Sequence, residues 1–343
     1  MRSFVVLRLS SMGDVLLTLP VLKGIIDSNP DVQLVFVTRK RFASYFKGIT
    51  RLILIEFEPD GRHKGLKGIF TLFKDIRSHE FISVVDLHGI LRTWILDSLF
   101  RLNGFRTYRI KKHRKIRHDI IKKRRSGIFV PHTIGRYMEV FNKAGLYGDI
   151  ATKIFQPESG EAKLEEENGK VIRIGLAPMS KHITKEWGLS NILELIDIVR
   201  LNYHAELHLF GGVEDQEALK VITGTDIINH AGKTGPEQEI ALMQSFNLFI
   251  SMDSANMHMA SLVGIPTLSI WGATDPKLGF APVNQPEDYS LFADPSVVTC
   301  RPCSVYGETP CSRADFPMLC MTSIKPEQVF KKIKKILDQH IRI

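Results

Sequence analysis

Asp14 sits in the stretch SSMGD, directly after the apolar run FVVLRL (4–9) and just where a helix-forming run begins. A carboxylate at such a junction either caps the helix or takes a proton as a general base. The local residues leave both readings open. A second group with chemical capacity lies in LAPMSKHITKEW, where Lys185 accompanies Ser180 and Thr184. A mobile positive charge beside hydroxyls can neutralise a phosphate leaving group. The third is DSANMH, residues 253–258. Asp253 follows one apolar run and precedes another, so it reads as an N-cap with the amides of Ser254, Ala255 and Asn256 directed at an anion such as phosphate. Glu214 and Asp215 follow a glycine pair in FGGVEDQE, and Gly272, Thr274 and Asp275 follow another apolar run in WGATDP.

Other chemistries lack their residues. No GxxxxGK[ST] phosphate loop and no GxGxxG fingerprint after a strand occurs, the histidines form no HExxH, and no serine sits in a GxSxG elbow. The four cysteines, Cys300, Cys303, Cys311 and Cys320, all fall in the tail. Their C-x-x-C start allows a structural four-thiolate zinc site, but the later spacings lack a second C-x-x-C, and reduced thiols or a disulfide are the alternatives.

These groups share one kind of place, the position after a strand. FVVLRL, VQLVFV (32–37), RLILIEF (51–57) and FISVVDLH (81–88) alternate with helix-like segments near 15–28, 66–79 and 92–102. Near-continuous apolar strands separated by amphipathic helices predict a parallel sheet covered on both faces. Pro20 is expected to kink or split the first helix. The charged stretch 157–170, PESGEAKLEEENGK, reads as a linker, after which the alternation resumes with strands in 171–178, 205–212, 226–232, 248–253 and 266–272. The chain therefore reads as α/β, with two doubly wound Rossmann-like domains, 1–160 and 161–325, and a closing basic helix within 326–343 expected to pack across the domains. Ligands in such sheets bind at the carboxyl ends of the strands, here in a crevice between the domains.

A length of 343 residues suits two domains, and 44% hydrophobic with 24% charged residues is ordinary for globular chains. No apolar run reaches the roughly 20 residues of a membrane span, and no signal-peptide pattern is seen, so a cytoplasmic protein is expected. The net charge of +9 is concentrated: residues 106–125, RTYRIKKHRKIRHDIIKKRR, hold eleven Lys or Arg against Asp119 alone, and the rest of the chain sums to about −1. Such a run is either a solvated face or a seat for a polyanion such as nucleic acid, an anionic membrane surface or a phosphorylated glycolipid.

Taken together, LRLSSMGDVLLTLP, VVDLHGILRT (84–93), KEW (185–187), FISMDSANMHMASLVGIPTLSIWGATDP (249–276) and the CRPC…C…C tail resemble glycosyltransferase family 9, the ADP-heptose:lipopolysaccharide heptosyltransferases. The resemblance implies a GT-B fold, an N-terminal domain for the lipid-linked acceptor and a C-terminal domain for the nucleotide sugar. It implies Asp14 as general base, Lys185 at the donor diphosphate, and Asp253 at the donor sugar. Gly13, Ser180, Thr184, Glu214, Ser254, Ala255, Asn256 and His258 would complete the donor site, with Glu214, Asp215 or Glu217 on the ribose. Ser10, Ser11, Arg62, Lys64, Lys111, Lys112, Arg114, His132 and Arg136 would hold an anionic glycolipid acceptor, with the protein a monomer peripheral to the inner face of the inner membrane. No metal or cofactor is required for the implied inverting transfer, which needs one base and an electrophilic patch for the leaving diphosphate. The competing expectations are another family 9 donor or acceptor, a nucleotide-sugar epimerase, and an RNA-binding α/β protein using residues 106–125. The scarcity of aromatics in that run argues against the last.

Overall fold

The apolar runs form two parallel sheets in the computed structural model, which describes residues 1–122, 127–152, 154–155 and 171–340. The chain divides into unit 1, Met1–His113 with Pro131–Ile154, and unit 2, Arg114–Val130 with Phe155–Ile343. The stretch read as a linker lies outside the described residues.

Unit 1 runs β1 (Arg2–Leu7), α1 (Met12–Leu16), α2 (Leu19–Ser28), β2 (Val32–Arg39), α3 (Lys40–Ala43), β3 (Leu52–Phe57), α4 (Gly65–Arg77), β4 (Ser83–Asp86), α5 (Leu91–Leu102) and β5 (Arg106–Arg109). The chain leaves for α6 (Arg114–Lys122), in unit 2, and returns with α7 (Thr133–Lys143). The strand order is β3-β2-β1-β4-β5, every neighbour parallel. β1 is central because both its faces are apolar, and Phe4 to Leu7 are all buried. Its last residue, Leu7, pairs with Val37 and with Asp86, so Arg8 and Leu87 emerge side by side at the carboxyl edge. The first helix is split as Pro20 predicts: α1 ends at Leu16, and Pro20 sits in the first turn of α2, where a missing N–H leaves no intrahelical bond unmade.

β5 is an edge strand within the basic run, and its arginine has a local purpose. Arg109 donates to the buried carboxylate of Asp97 at 2.7 Å and lies 3.4 Å from that of Asp86. Asp86 accepts in turn from the amides of His88 and Gly89 and from Thr93 Oγ1, at 2.8 to 2.9 Å, which fixes the turn after β4. Burial, and then the neighbouring Asp86 charge, push Asp97 up to about 7. Between roughly pH 4 and 7 the folded protein thus holds a proton that the unfolded chain has released, so stability falls as pH rises through that window. Asp97→Asn is expected to flatten this dependence, by up to about 1.4 kcal/mol per pH unit, in urea midpoints measured across the window.

Unit 2 runs β6 (Ile172–Ala177), α8 (Leu189–Asn202), β7 (Ala205–Leu209), α9 (Gln216–Leu219), β8 (Ile227–Asn229), α10 (Pro236–Gln244), β9 (Leu248–Met252), α11 (Ala255–Val263), β10 (Thr267–Trp271), β11 (Ser290–Phe292), α12 (Leu319–Thr322) and α13 (Pro326–His340). Its order is β11-β10-β9-β6-β7-β8, again all parallel. The closing helix α13 buries Val329, Ile333, Ile336 and Leu337 in the same core as Ile192, Leu195 and Val199 of α8. Its apolar stripe packs in the core of unit 2.

The basic run is likewise not confined to the first domain. In α6, Ile120 joins Val130, Met257, Trp271, Leu278 and Phe280 in a buried cluster of unit 2. Arg117 is buried over the rings of Phe280 and Tyr306 and donates to Tyr306 Oη at 2.8 Å. An apolar stripe and a stacked guanidinium, invisible in a count of charges, tie this part of the run to unit 2. Lys123, Arg124 and Arg125 lie outside the described residues.

Candidate active site

In unit 1 the carboxyl edge of β1 carries Asp14 in the short helix α1. Asp14 is not the N-cap: Ser11 occupies that position, and its hydroxyl donates to Asp14 Oδ2 at 2.8 Å and accepts no bond from the helix amides. Arg8 reaches the same oxygen at 2.5 Å while donating to Leu87 O at 2.8 Å. Tyr137 Oη of α7 donates to the Asp14 carbonyl at 3.0 Å. The carboxylate is therefore held by the Ser11 hydroxyl and by the Arg8 guanidinium. Asp14 is partly exposed, as are Ser10 and Gly13 beside it in sequence, and Ser11 is exposed.

His88 belongs to this site. It is buried after β4, and among the described residues its Nδ1 has no hydrogen-bond partner. Burial, and then the Arg8 charge, push it down to about 2, so it is a neutral imidazole at any physiological pH. Lys112 also acts on His88, and its stem lies beside Gly89, whose φ of +60° bends the chain there. Arg8 and His88 were missed as functional candidates. Their signal was present: a lone arginine in an otherwise apolar strand run, and a histidine directly after the next strand.

The other residues expected at the acceptor are dispersed. Lys64 is exposed as the N-cap of α4, and exposed Arg62 pairs with Asp75 at 2.7 Å, beside the buried His63. Lys111 is exposed in unit 1, whereas Arg114 starts α6 in unit 2. His132 caps α7, its Nδ1 accepting from the Ile134 amide at 3.3 Å. Arg136 is buried and donates to Pro131 O and Thr133 Oγ1, at 3.1 and 2.6 Å, at the start of α7.

In unit 2 the register pairs Ala177 with Ser251 and Met252 with Ile270, so the turns after β6, β9 and β10 gather at one carboxyl edge. Lys185 Nζ lies 3.4 Å from Asp253 Oδ2, which also accepts from Thr274 Oγ1 at 2.7 Å; all three residues are buried. Ser180 Oγ donates to the Asp253 carbonyl at 3.4 Å. Asp253 is not the helix cap either. Ser254 takes that position, without a side-chain cap bond, because the Asp253 carboxylate is turned to Lys185 and Thr274. The amides at the start of α11 are then those of Ala255 and Asn256, with no acceptor within the helix. His258 is buried one turn further on.

Thr184 Oγ1 donates to Gly307 O at 2.5 Å, and the Ala273 amide donates to Thr184 O at 3.2 Å. A Cβ on Gly307, whose φ is +89°, would stand 2.8 to 3.1 Å from the Lys185 stem, so the cysteine tail packs directly on the lysine. After β7, Asp215 accepts from the Gly212 amide at 2.8 Å and Glu217 pairs with Lys220 at 2.5 Å. Exposed Glu214 is the carboxylate turned back over the glycine pair.

The four cysteines line one cavity of about 20 Å³ with Arg301 and Thr184. Burial, and then the neighbouring thiols, raise Cys320 to about 11. Among the described residues no three His, Cys, Asp or Glu side chains are arranged to hold a metal ion. The zinc reading is not supported.

The lipopolysaccharide core heptosyltransferase OpsX of Haemophilus influenzae is 23% identical to this chain over 291 residues, covering 82% of each. Among solved structures, a family 9 glycosyl transferase of Veillonella parvula superposes with a TM-score of 0.72 at 21% identity, over 98% of both chains. Escherichia coli heptosyltransferase WaaC with ADP gives 0.68 at 19%, over 97% of this chain and 99% of that one. Two doubly wound parallel units with these likenesses are the GT-B fold. Residues 69–293, well over half the chain, match the model of glycosyltransferase family 9 (heptosyltransferase), and the protein is a glycosyltransferase of that family.

Proposed function

We propose that the protein transfers a heptose from ADP-heptose, with inversion, to the anionic inner core of lipopolysaccharide. The observation that carries this reading is the Asp14 carboxylate, held by Arg8 and Ser11 at the carboxyl edge of β1. Membership of family 9, and relatives named as lipopolysaccharide heptosyltransferases, support the sugar and the acceptor. The relative WaaC, solved with ADP, supports the nucleotide. Unit 1 takes the acceptor. Asp14 removes the proton of the attacking hydroxyl while that oxygen bonds to the anomeric carbon, and neutral His88 is placed to orient the same sugar by hydrogen bonding. Unit 2 takes the donor. Lys185 and the amides at the start of α11 receive the charge of the departing ADP, Asp253 contacts the donor sugar, and Glu214 takes the ribose hydroxyls. One base and one electrophilic patch suffice for a single displacement. The enzyme works at the cytoplasmic face of the inner membrane, where its acceptor is anchored.

The test is a thermal-shift screen of ADP- and UDP-sugars on the whole chain. A ligand that binds only the folded state at one hundred times its dissociation constant adds about 2.7 kcal/mol to stability, a shift of several degrees. ADP-heptose is expected to give that shift and UDP-sugars are not. Silence from every ADP-sugar would sink the donor assignment, and a response to UDP-sugars alone would favour another family 9 activity.

A further inference from the structure

Four large apolar side chains of unit 1 stand in solvent at the starts of two neighbouring helices. Leu66 and Phe70, on the first two turns of α4, are 68% and 52% exposed; Leu91 and Trp94, on the first turn of α5, are 71% and 38% exposed. The two helices lie side by side. Ile69 and Leu72 of α4 share a core with Leu96 and Phe100 of α5, and the rings of Phe73 and Phe100 are 5.0 Å apart. Their amino ends are tied together, because Arg92 donates to His63 O at 3.2 Å. Single exposed apolar residues are ordinary on a surface. Here four, including Phe and Trp, occupy consecutive turns, and exposed Arg62, Lys64 and Lys67 flank them. Asp75, the acid of the same helix, is engaged by Arg62 and His63. Apolar and aromatic side chains bordered by cations suit the boundary between lipid headgroups and acyl chains.

We propose that the amino ends of α4 and α5 form a docking surface for an anionic lipid bilayer. Leu66, Phe70, Leu91 and Trp94 seat at headgroup level, and Lys67 with its basic neighbours meets lipid phosphates. The proposal rests on the reading of a membrane-anchored acceptor, and it moves the membrane contact away from the basic run, part of which is consumed in unit 2. It also places the bilayer at the end of the unit 1 sheet that carries Asp14, since both helices begin where strands end.

The chain carries its own reporter. Of its three tryptophans, Trp187 and Trp271 are fully buried, so a change in emission on lipid binding reads Trp94. Phosphatidylethanolamine vesicles containing phosphatidylglycerol are expected to shift the emission to the blue and to co-sediment the protein; phosphatidylcholine vesicles are not. The double variant Leu66→Ser with Phe70→Ser, checked for an unchanged melting temperature, should bind those vesicles about tenfold or more weakly, and Lys67→Glu should weaken binding further. Both should keep wild-type turnover on a deacylated, water-soluble acceptor. Undiminished vesicle binding by the double variant overturns the proposal, as does a blue shift that appears without lipid as protein concentration rises, which would mean a second copy covers the face. Loss of transfer to the deacylated acceptor by the wild type, with vesicle binding intact, would refute the heptosyltransferase reading and leave the docking surface standing.

Discussion

Asp14→Asn is expected to lower kcat by about three orders of magnitude while leaving ADP-heptose affinity within about twofold of wild type. Asparagine keeps the shape and can still accept from the Ser11 hydroxyl, but it cannot take a proton. Donor binding should survive because the residues proposed for it, Gly13 apart, belong to unit 2. The substitution also removes the carboxylate partner of the buried Arg8, which costs stability. Arg8 retains its bond to Leu87 O, which softens that cost. A merely structural Asp14 would therefore give a lower melting temperature and recover activity on cooling. A base would leave kcat depressed at every temperature at which the fold is intact. Transfer by Asp14→Asn at more than about one tenth of the wild-type rate would remove Asp14 from the chemistry.

The parts of the fold legible in the sequence are those fixed by local chemistry. Runs such as FVVL and LFIS are apolar on both faces, which only a covered parallel strand accommodates, and Pro20 marks the break between α1 and α2 by its missing amide. What the sequence hid was decided by partners distant in the chain. RTYR is too basic to look like a strand until Arg109 is seen on Asp97, twelve residues earlier. Asp253 and Ser254 are both good caps, and the choice fell to Ser254 because Lys185 and Thr274 claim the aspartate. Arg117 looked like one more solvated charge, yet two rings from beyond residue 279 bury it. At the site, Asp14 and Lys185 were readable from their position after strands. The arginine that holds Asp14 shows only as a lone charge in an apolar run, and the glycine that packs on Lys185 leaves no local pattern.

Lys185→Ala should cost about two to three orders of magnitude in kcat and should also weaken ADP binding, since the charge is proposed to act on a diphosphate present in both the ground and transition states. The buried setting separates charge from packing. Lys185 lies against Gly307 and 3.4 Å from Asp253, so alanine removes a stem and a charge together and leaves a buried carboxylate with Thr274 alone. Lys185→Met restores the stem. If packing against the cysteine tail were the main contribution, methionine would rescue most of the activity; if the ammonium is what matters, methionine and alanine should be almost equally poor. Lys185→Arg should not rescue either, because a planar fork needs more room than a stem pressed on Gly307 allows. Gly307→Ala provides the complementary test. It keeps the ammonium, but it strains a backbone at φ +89° and crowds the stem at 2.8 Å, so KM for the donor should rise with the base at Asp14 untouched. A Gly307→Ala enzyme with wild-type donor KM would show that the tail does not set the position of the lysine.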